Sequence, residues 1–234
     1  MNLFFLQVLI DSAKIKDSLA RVLQAATQQK ESLWDILIKG GPLMIPLAIL
    51  LVIAIYVFIE RVMAIKKASR LDDNFMSIIR DHIVTGNVTA ARSLAKNTPT
   101  AVARMIDKGI QRIGKPIEAI ERSMENVGKL ELYKMEKNLS ILSVVGYIAP
   151  LFGFLGTIAG MFQLFYNIAS TGEYSIANIA GGIYVKMVSS ASGLIIGIIA
   201  YIGYRYLNSQ IDKTTNKMEV ASAEFIDILQ EPTR

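Results

Sequence analysis

Between Lys137 and Arg205 the chain runs for 67 residues with only two charged side chains, Glu173 and Lys186. A helix needs about 20 mostly apolar residues to cross the hydrocarbon core of a bilayer, and residues 139–165 and 179–204 both exceed that length. This stretch predicts two membrane spans joined by a short turn. A third candidate, GGPLMIPLAILLVIAIYVFI at residues 40–59, is also free of charge, with Trp34 before it and Tyr56 near its far end as interface anchors. A membrane strand would need only about 9–11 residues of alternating character. These segments are long and apolar all round, which excludes a barrel. The expected fold is an all-α polytopic membrane protein with three transmembrane helices and long helices extending into the cytoplasm.

The loops orient the spans, because segments left in the cytoplasm carry the Lys and Arg excess. Fifteen basic residues lie between Arg61 and Lys137, none between Asn167 and Asn178, five in the first forty residues and four after Tyr204. The loop between spans two and three is therefore expected outside, with the N-terminus periplasmic and the C-terminus cytoplasmic. The resulting division is an outer-face amphipathic helix at 1–38, span one at 40–62, a cytoplasmic helical domain at 63–138, span two at 139–166, a periplasmic loop at 167–180, span three at 181–204 and a cytoplasmic helix at 205–234. The leading MNLFFLQVLI is too short to span and lacks the basic start of a secretion signal.

Positive loops also account for the net charge of +5, since the basic residues alternate with acidic ones and no nucleic-acid motif accompanies them. With no cysteine, disulfide and thiol chemistry are excluded, in keeping with a bacterial inner-membrane protein. The single histidine, His82, has no second ligand near it, so neither a metal site nor a histidine-based triad is expected. No cofactor is expected, and the chain is read as a membrane protein rather than an enzyme. Asn87-Val88-Thr89 reads as a chance match to a glycosylation signal.

The soluble middle is patterned for helices. Phe75, Ile78, Ile79 and Ile83 share a face before a Gly86-Asn87 break, a short helix follows from Val88, and Pro99 opens another with Val102, Met105, Ile106 and Ile110 inward. After Pro116 no strong breaker appears until Pro150. Ile117, Ile120, Met124, Val127, Leu130 and Met135 recur at helical spacing, so one helix is expected to run unbroken into span two. In the tail, Ile211, Met218 and Phe225 repeat every seven residues, with Ala221 and Ile228 between them. That narrow seam is expected to lie against a neighbour, and helices so sparse in apolar residues favour an oligomer.

Within the membrane, steps of three and four link Gly146, Ala149, Gly153, Gly156, Thr157 and Gly160 on span two. On span three they link Lys186, Ser189, Ser190, Gly193, Gly197 and Tyr201. Gly153, Gly156 and Gly160 have no strand before them, so they serve helix packing rather than a phosphate loop. Each hydroxyl could simply bond its own backbone. Two facing stripes of small and polar residues also suit a narrow wet path. Neither stripe holds a carboxylate, so a partner must supply the proton carrier if protons move.

The segments IAPLFGFLGTIAGMFQLF (148–165) and GGIYVKMVSSASGLIIGIIAYIGY (181–204) resemble the proton-channel family of ExbB, TolQ and MotA. The resemblance covers nearly the whole chain, including Glu60-Arg61 just past span one. Three spans make ExbB, and then TolQ, more similar than the four-span MotA type. The resemblance implies a homopentamer around the single membrane helices of an ExbD- or TolR-like dimer, whose aspartate carries the proton. It implies that proton motive force is converted into work on the cell envelope through a TonB-like effector, in outer-membrane transport. The alternatives are a TolQ-like role in outer-membrane maintenance and a membrane scaffold or small transporter without ion-driven motion. Carried over, Thr157 matches the pore hydroxyl of span two, and Ser190 stands where span three usually has threonine; Ser189 and Lys186 complete the expected ion path. Gly153, Gly156, Gly160, Gly193 and Gly197 are assigned to helix packing.

The chain departs from the family at Val185-Lys186-Met187, where many members read Glu-Ala-Leu. A charge at mid-membrane costs about 2.5–3.5 kcal/mol on insertion scales, so Lys186 must snorkel to the interface or find a partner. If it faced the pore mouth instead, it would favour the deprotonated partner aspartate and repel incoming cations.

Overall fold

A computed structural model of the chain describes residues 42–72, 74–172 and 175–231. The helix expected at residues 1–38 lies outside them. Among the described residues seven helices follow in order: α1 (Met44–Ser69), α2 (Phe75–Val84), α3 (Val88–Asn97), α4 (Ala101–Ile110), α5 (Ile117–Glu136), α6 (Leu139–Thr171) and α7 (Ile176–Gln230). Among the described residues, three helical stretches are long and apolar enough to cross a membrane: α1, the run through α5 and α6, and one within α7. The protein is therefore an all-α, multi-pass membrane protein. Its spans leave much apolar surface uncovered, as at Ile49, Val52, Leu151, Phe154, Ile158, Ile195 and Ile199. Lipid or a partner must cover these side chains, because water would not.

Span three and the tail are one helix. α7 has 55 residues, about 82 Å at 1.5 Å per residue, and carries its membrane half directly into the soluble domain. The tail seam is buried inside its own protomer: Ile211, Met218, Ala221, Phe225 and Ile228 are each at most 5% exposed. The expected neighbour is the protein's own soluble helices. The short helices supply the partner surface, with Met124 and Phe225 closing over Gly109 so tightly that a Cβ there would lie 2.6 Å from each.

Asn87 and Thr100 start α3 and α4 by accepting hydrogen bonds from the Ala90 and Ala103 amides, both at 3.2 Å. The amphipathic reading of α4 holds: Val102, Met105, Ile106 and Ile110 are all buried. Two apolar residues fall outside. Ile78 is 40% and Leu130 56% exposed, while Met76 and Glu131 take inward positions. On α5 the buried set Ile120, Met124, Glu131 and Met135 advances by four, seven and four residues, which holds one face at 3.6 residues per turn; Leu130 is rotated away from it.

The helix expected to run unbroken from Pro116 into span two is interrupted. Lys137 is extended (φ −50°, ψ 133°) and Asn138 is left-handed (φ 62°). Asparagine is among the few residues that enter that region at modest cost. The break frees carbonyls at the end of α5, and tertiary contact satisfies one: Arg61 Nη1 donates to the Lys134 oxygen at 3.2 Å. Arg61 is 6% exposed and also pairs with Glu60. It thereby fastens the end of span one to the entrance of span two, with its cation at a helix C-terminus. Pro150, by contrast, does not end α6. The Gly146 carbonyl it leaves without an amide partner faces α7, where a Cβ at Gly197 would stand 2.9 Å away.

Below the membrane, Glu131 is buried between Arg104 (2.5 Å) and Lys134 (2.7 Å). Burial pushes its carboxyl upward, but the hydrogen bonds from Arg104 and Lys134 outweigh burial and hold it below its ordinary value of 4.5. A carboxylate with a depressed folded value stabilises the native state above its unfolded value, and that contribution disappears as pH falls through the folded one. Glu131→Gln is expected to cost about 2 kcal/mol at neutral pH, because it weakens two charged hydrogen bonds around a buried group. The difference from wild type should begin to shrink as pH falls toward 4.5 and vanish only below the depressed folded value. Denaturant unfolding of the detergent-solubilised protein across a pH series from 7 downward measures it; a penalty that stays constant to the lowest pH at which the protein folds would remove the ionised carboxylate from the account.

Candidate functional site

The two small-residue stripes face each other across the α6–α7 contact, and glycine makes that approach possible. A Cβ at Gly193 would lie 2.5 Å from the Ala149 carbonyl oxygen and 2.9 Å from the Gly153 Cα. One at Gly153 would lie 2.9 Å from the Ser189 carbonyl oxygen, and one at Gly197 2.5 Å from the Pro150 ring. At this separation the backbones themselves touch, as small-residue membrane interfaces allow. The register is antiparallel, from Gly146 beside Tyr201 to Gly160 beside Lys186 and Leu164 beside Gly182.

The hydroxyls divide into two kinds. Ser189 is 1% exposed, donates to the Lys186 carbonyl oxygen at 2.9 Å, and closes on the position a Gly156 Cβ would occupy at 2.7 Å. Assembly can only cover it further, so Ser189 belongs to the helix contact rather than to a lining surface. Thr157 and Ser190, next to this contact on either helix, are half-buried. The Thr157 hydroxyl donates to the Phe154 carbonyl oxygen at 2.6 Å, which leaves its lone pairs able to accept.

Lys186 is also half-buried. Its stem lies over Gly160, where a Cβ would come within 2.0 Å of Cδ and 2.2 Å of Cε. The missing side chain at Gly160 is thus the groove that holds the lysine. Its α-carbon is ten residues from the start of α7, about 15 Å along the helix, so the ammonium needs either the full length of its stem or an anionic neighbour.

No group of metal-binding side chains occurs among the described residues. From Lys137 to Arg205 the only carboxylate in the sequence is Glu173. The pair of spans can therefore orient water and solvate a charge, but brings no carboxylate of its own into the membrane-spanning stretches. The Arg61 and Glu131 anchors were not apparent from sequence. Their only linear signal is an acid at an apolar-periodic position of α5 and a cation directly after an apolar span.

A protein-family model described as the MotA/TolQ/ExbB proton channel family matches residues 97–220. Among curated proteins, the chain is 27% identical over 185 residues to a Synechocystis sp. protein named as ExbB-like, covering 77% of this chain and 72% of that one. A Methanothermobacter thermautotrophicus protein named as an ExbB homolog is 26% identical over 172 residues, 72% of this chain and 61% of its own length. The biopolymer transport protein ExbB of Neisseria gonorrhoeae is 35% identical over 75 residues, 32% of this chain and 34% of that protein. The family match spans more than half of the chain and includes the whole α6–α7 contact with its two half-buried hydroxyls, so the chain belongs to the MotA/TolQ/ExbB proton channel family.

Proposed function

We propose that the chain is the ring-forming subunit of a proton-driven motor in the bacterial inner membrane, a homopentamer around a single-span, carboxylate-bearing partner of the ExbD or TolR kind. Work on the cell envelope, through a TonB-like effector in outer-membrane transport, is its output. The observation that carries the reading is chemical. Thr157 and Ser190 flank a glycine-sealed helix contact that contains no carboxylate. A hydroxyl both donates and accepts, so such a pair solvates a partner carboxylate in either protonation state. The uncovered apolar faces of α6 and α7 supply the surface on which a membrane helix and further copies pack.

Native mass spectrometry in detergent should show five copies, and a stable monomer would overturn the ring. Orientation is tested on the cysteine-free background. Thr171→Cys in intact spheroplasts should react with a membrane-impermeant thiol reagent, while Ser93→Cys should react only after permeabilisation. The reverse pattern would invert the topology.

A further inference from the structure

We infer that neighbouring copies of this chain join below the membrane through a basic shoulder at the end of α1 and an acidic groove between α5 and α7. This inference rests on the oligomeric reading above and names the surfaces that make it.

The groove has a volume of about 650 Å³ and an apolar floor that includes Met105, Leu132, Met218 and Ile226. Glu121, Glu125, Glu219 and Asp227 rim it, against the single ammonium of Lys129. Lys129 is engaged with Glu125 at 2.6 Å, and both are exposed, so the pair contributes little. Beneath the rim, the Thr215 hydroxyl is buried with no hydrogen-bond partner. The surface is apolar, net acidic and unfinished. The shoulder is its complement: Lys66, Lys67 and Arg70 are exposed beside Met63, Leu71 and Pro99, with Asp72 as the only acid. None of these three cations makes an ion pair among the described residues.

Depth argues for a second copy as the occupant. Copies related by a rotation about the membrane normal can touch only at equal depth. α1 and α7 run in the same direction: Leu43 is beside Gly156, level with Ser189, and Phe58 is beside Gly203 and Tyr206, with ring centroids 6.5 Å apart. From that common level, Lys66 to Arg70 lie 8–12 residues further along α1, roughly 12–18 Å. Thr215 to Glu219 lie 9–13 residues beyond Tyr206 and 12–16 beyond Gly203, roughly 14–24 Å along α7. The helix α5 gives an independent measure. Arg61 is bonded to Lys134, and Glu125 is nine residues beyond Lys134, about 14 Å, as Arg70 is beyond Arg61. Cations and carboxylates therefore occupy one layer. A contact between two different patches on identical chains is head-to-tail, the kind that closes into a ring.

Cysteine pairing tests this on the otherwise cysteine-free protein. Lys67→Cys and Glu219→Cys are made singly, with different affinity tags, and co-expressed. Mild oxidation should yield disulfide-linked dimers carrying both tags, whereas either variant alone should give none. The doubly substituted chain should give a ladder up to the full ring. Glu219→Lys should reduce the oligomeric fraction at low salt several-fold, and Lys67→Glu in the same chain should restore it. An intact oligomer with no 67–219 linkage, or single variants that link to themselves, would overturn this interface and leave the ring standing. A monomeric wild type would remove both.

Discussion

Gly193→Ala loosens the hairpin of α6 and α7. The new methyl would lie 2.5 Å from the Ala149 carbonyl oxygen and 2.9 Å from the Gly153 Cα. Both obstacles are backbone, which cannot swing aside as a long side chain does, so the helices must separate and lose contact along the whole stripe. Overpacking of this kind costs about 1–3 kcal/mol, and it propagates here because Ser189 and Gly197 share the contact. Gly181→Ala is the matched control, since nothing lies within 4 Å of a Cβ at that position. Unfolding in mixed detergent, followed by far-ultraviolet circular dichroism, should show a lowered midpoint for Gly193→Ala and an unchanged or raised one for Gly181→Ala. Equal midpoints would mean that close backbone approach does not hold the hairpin together.

The second large effect is functional. Thr157→Val preserves shape and removes the hydroxyl, and Ser190→Ala does the same with a small loss of volume. If the two groups solvate a partner carboxylate, each removal forfeits a hydrogen bond to a charged group. Such a bond is worth about 1.5–3 kcal/mol, or roughly tenfold to a hundredfold in partner-dependent proton flux. The ring should stay intact, because both residues are half-buried and Ser190 meets Gly153 only through backbone atoms that the substitution keeps. Flux is read in proteoliposomes holding the complex under an imposed pH gradient. Wild-type rates in both variants would return the hydroxyls to local backbone bonding, as the Thr157 bond to Phe154 already illustrates.

Ser189 and Ser190 show where linear reading runs out. Both fall on the polar stripe of span three, and periodicity treats them alike. They differ by 100° around the helix, and that rotation decides which is sealed against Gly156 and which stays partly open. The same applies to Ile78 and Leu130, whose spacing matched a core face but whose neighbours took the inward positions. The tail seam was legible as a seam. Its partner was not, because a heptad pattern specifies a buried line without saying which chain buries it.

Charge scarcity over 67 residues and run lengths beyond about 20 determined the membrane class, the three spans and the helical content. These depend on the free energy of transfer from water, which composition alone sets. Glycine spacing likewise marked where helices could approach. Only the tertiary structure decided what approached them. It placed the Lys186 stem over Gly160, turned Asn138 into a left-handed break and bound the freed Lys134 carbonyl to Arg61. It also lowered the carboxyl of Glu131 between two cations. Each of these depends on atoms many residues apart meeting at a few ångströms, where the contact energy outweighs the local preference that the linear pattern records.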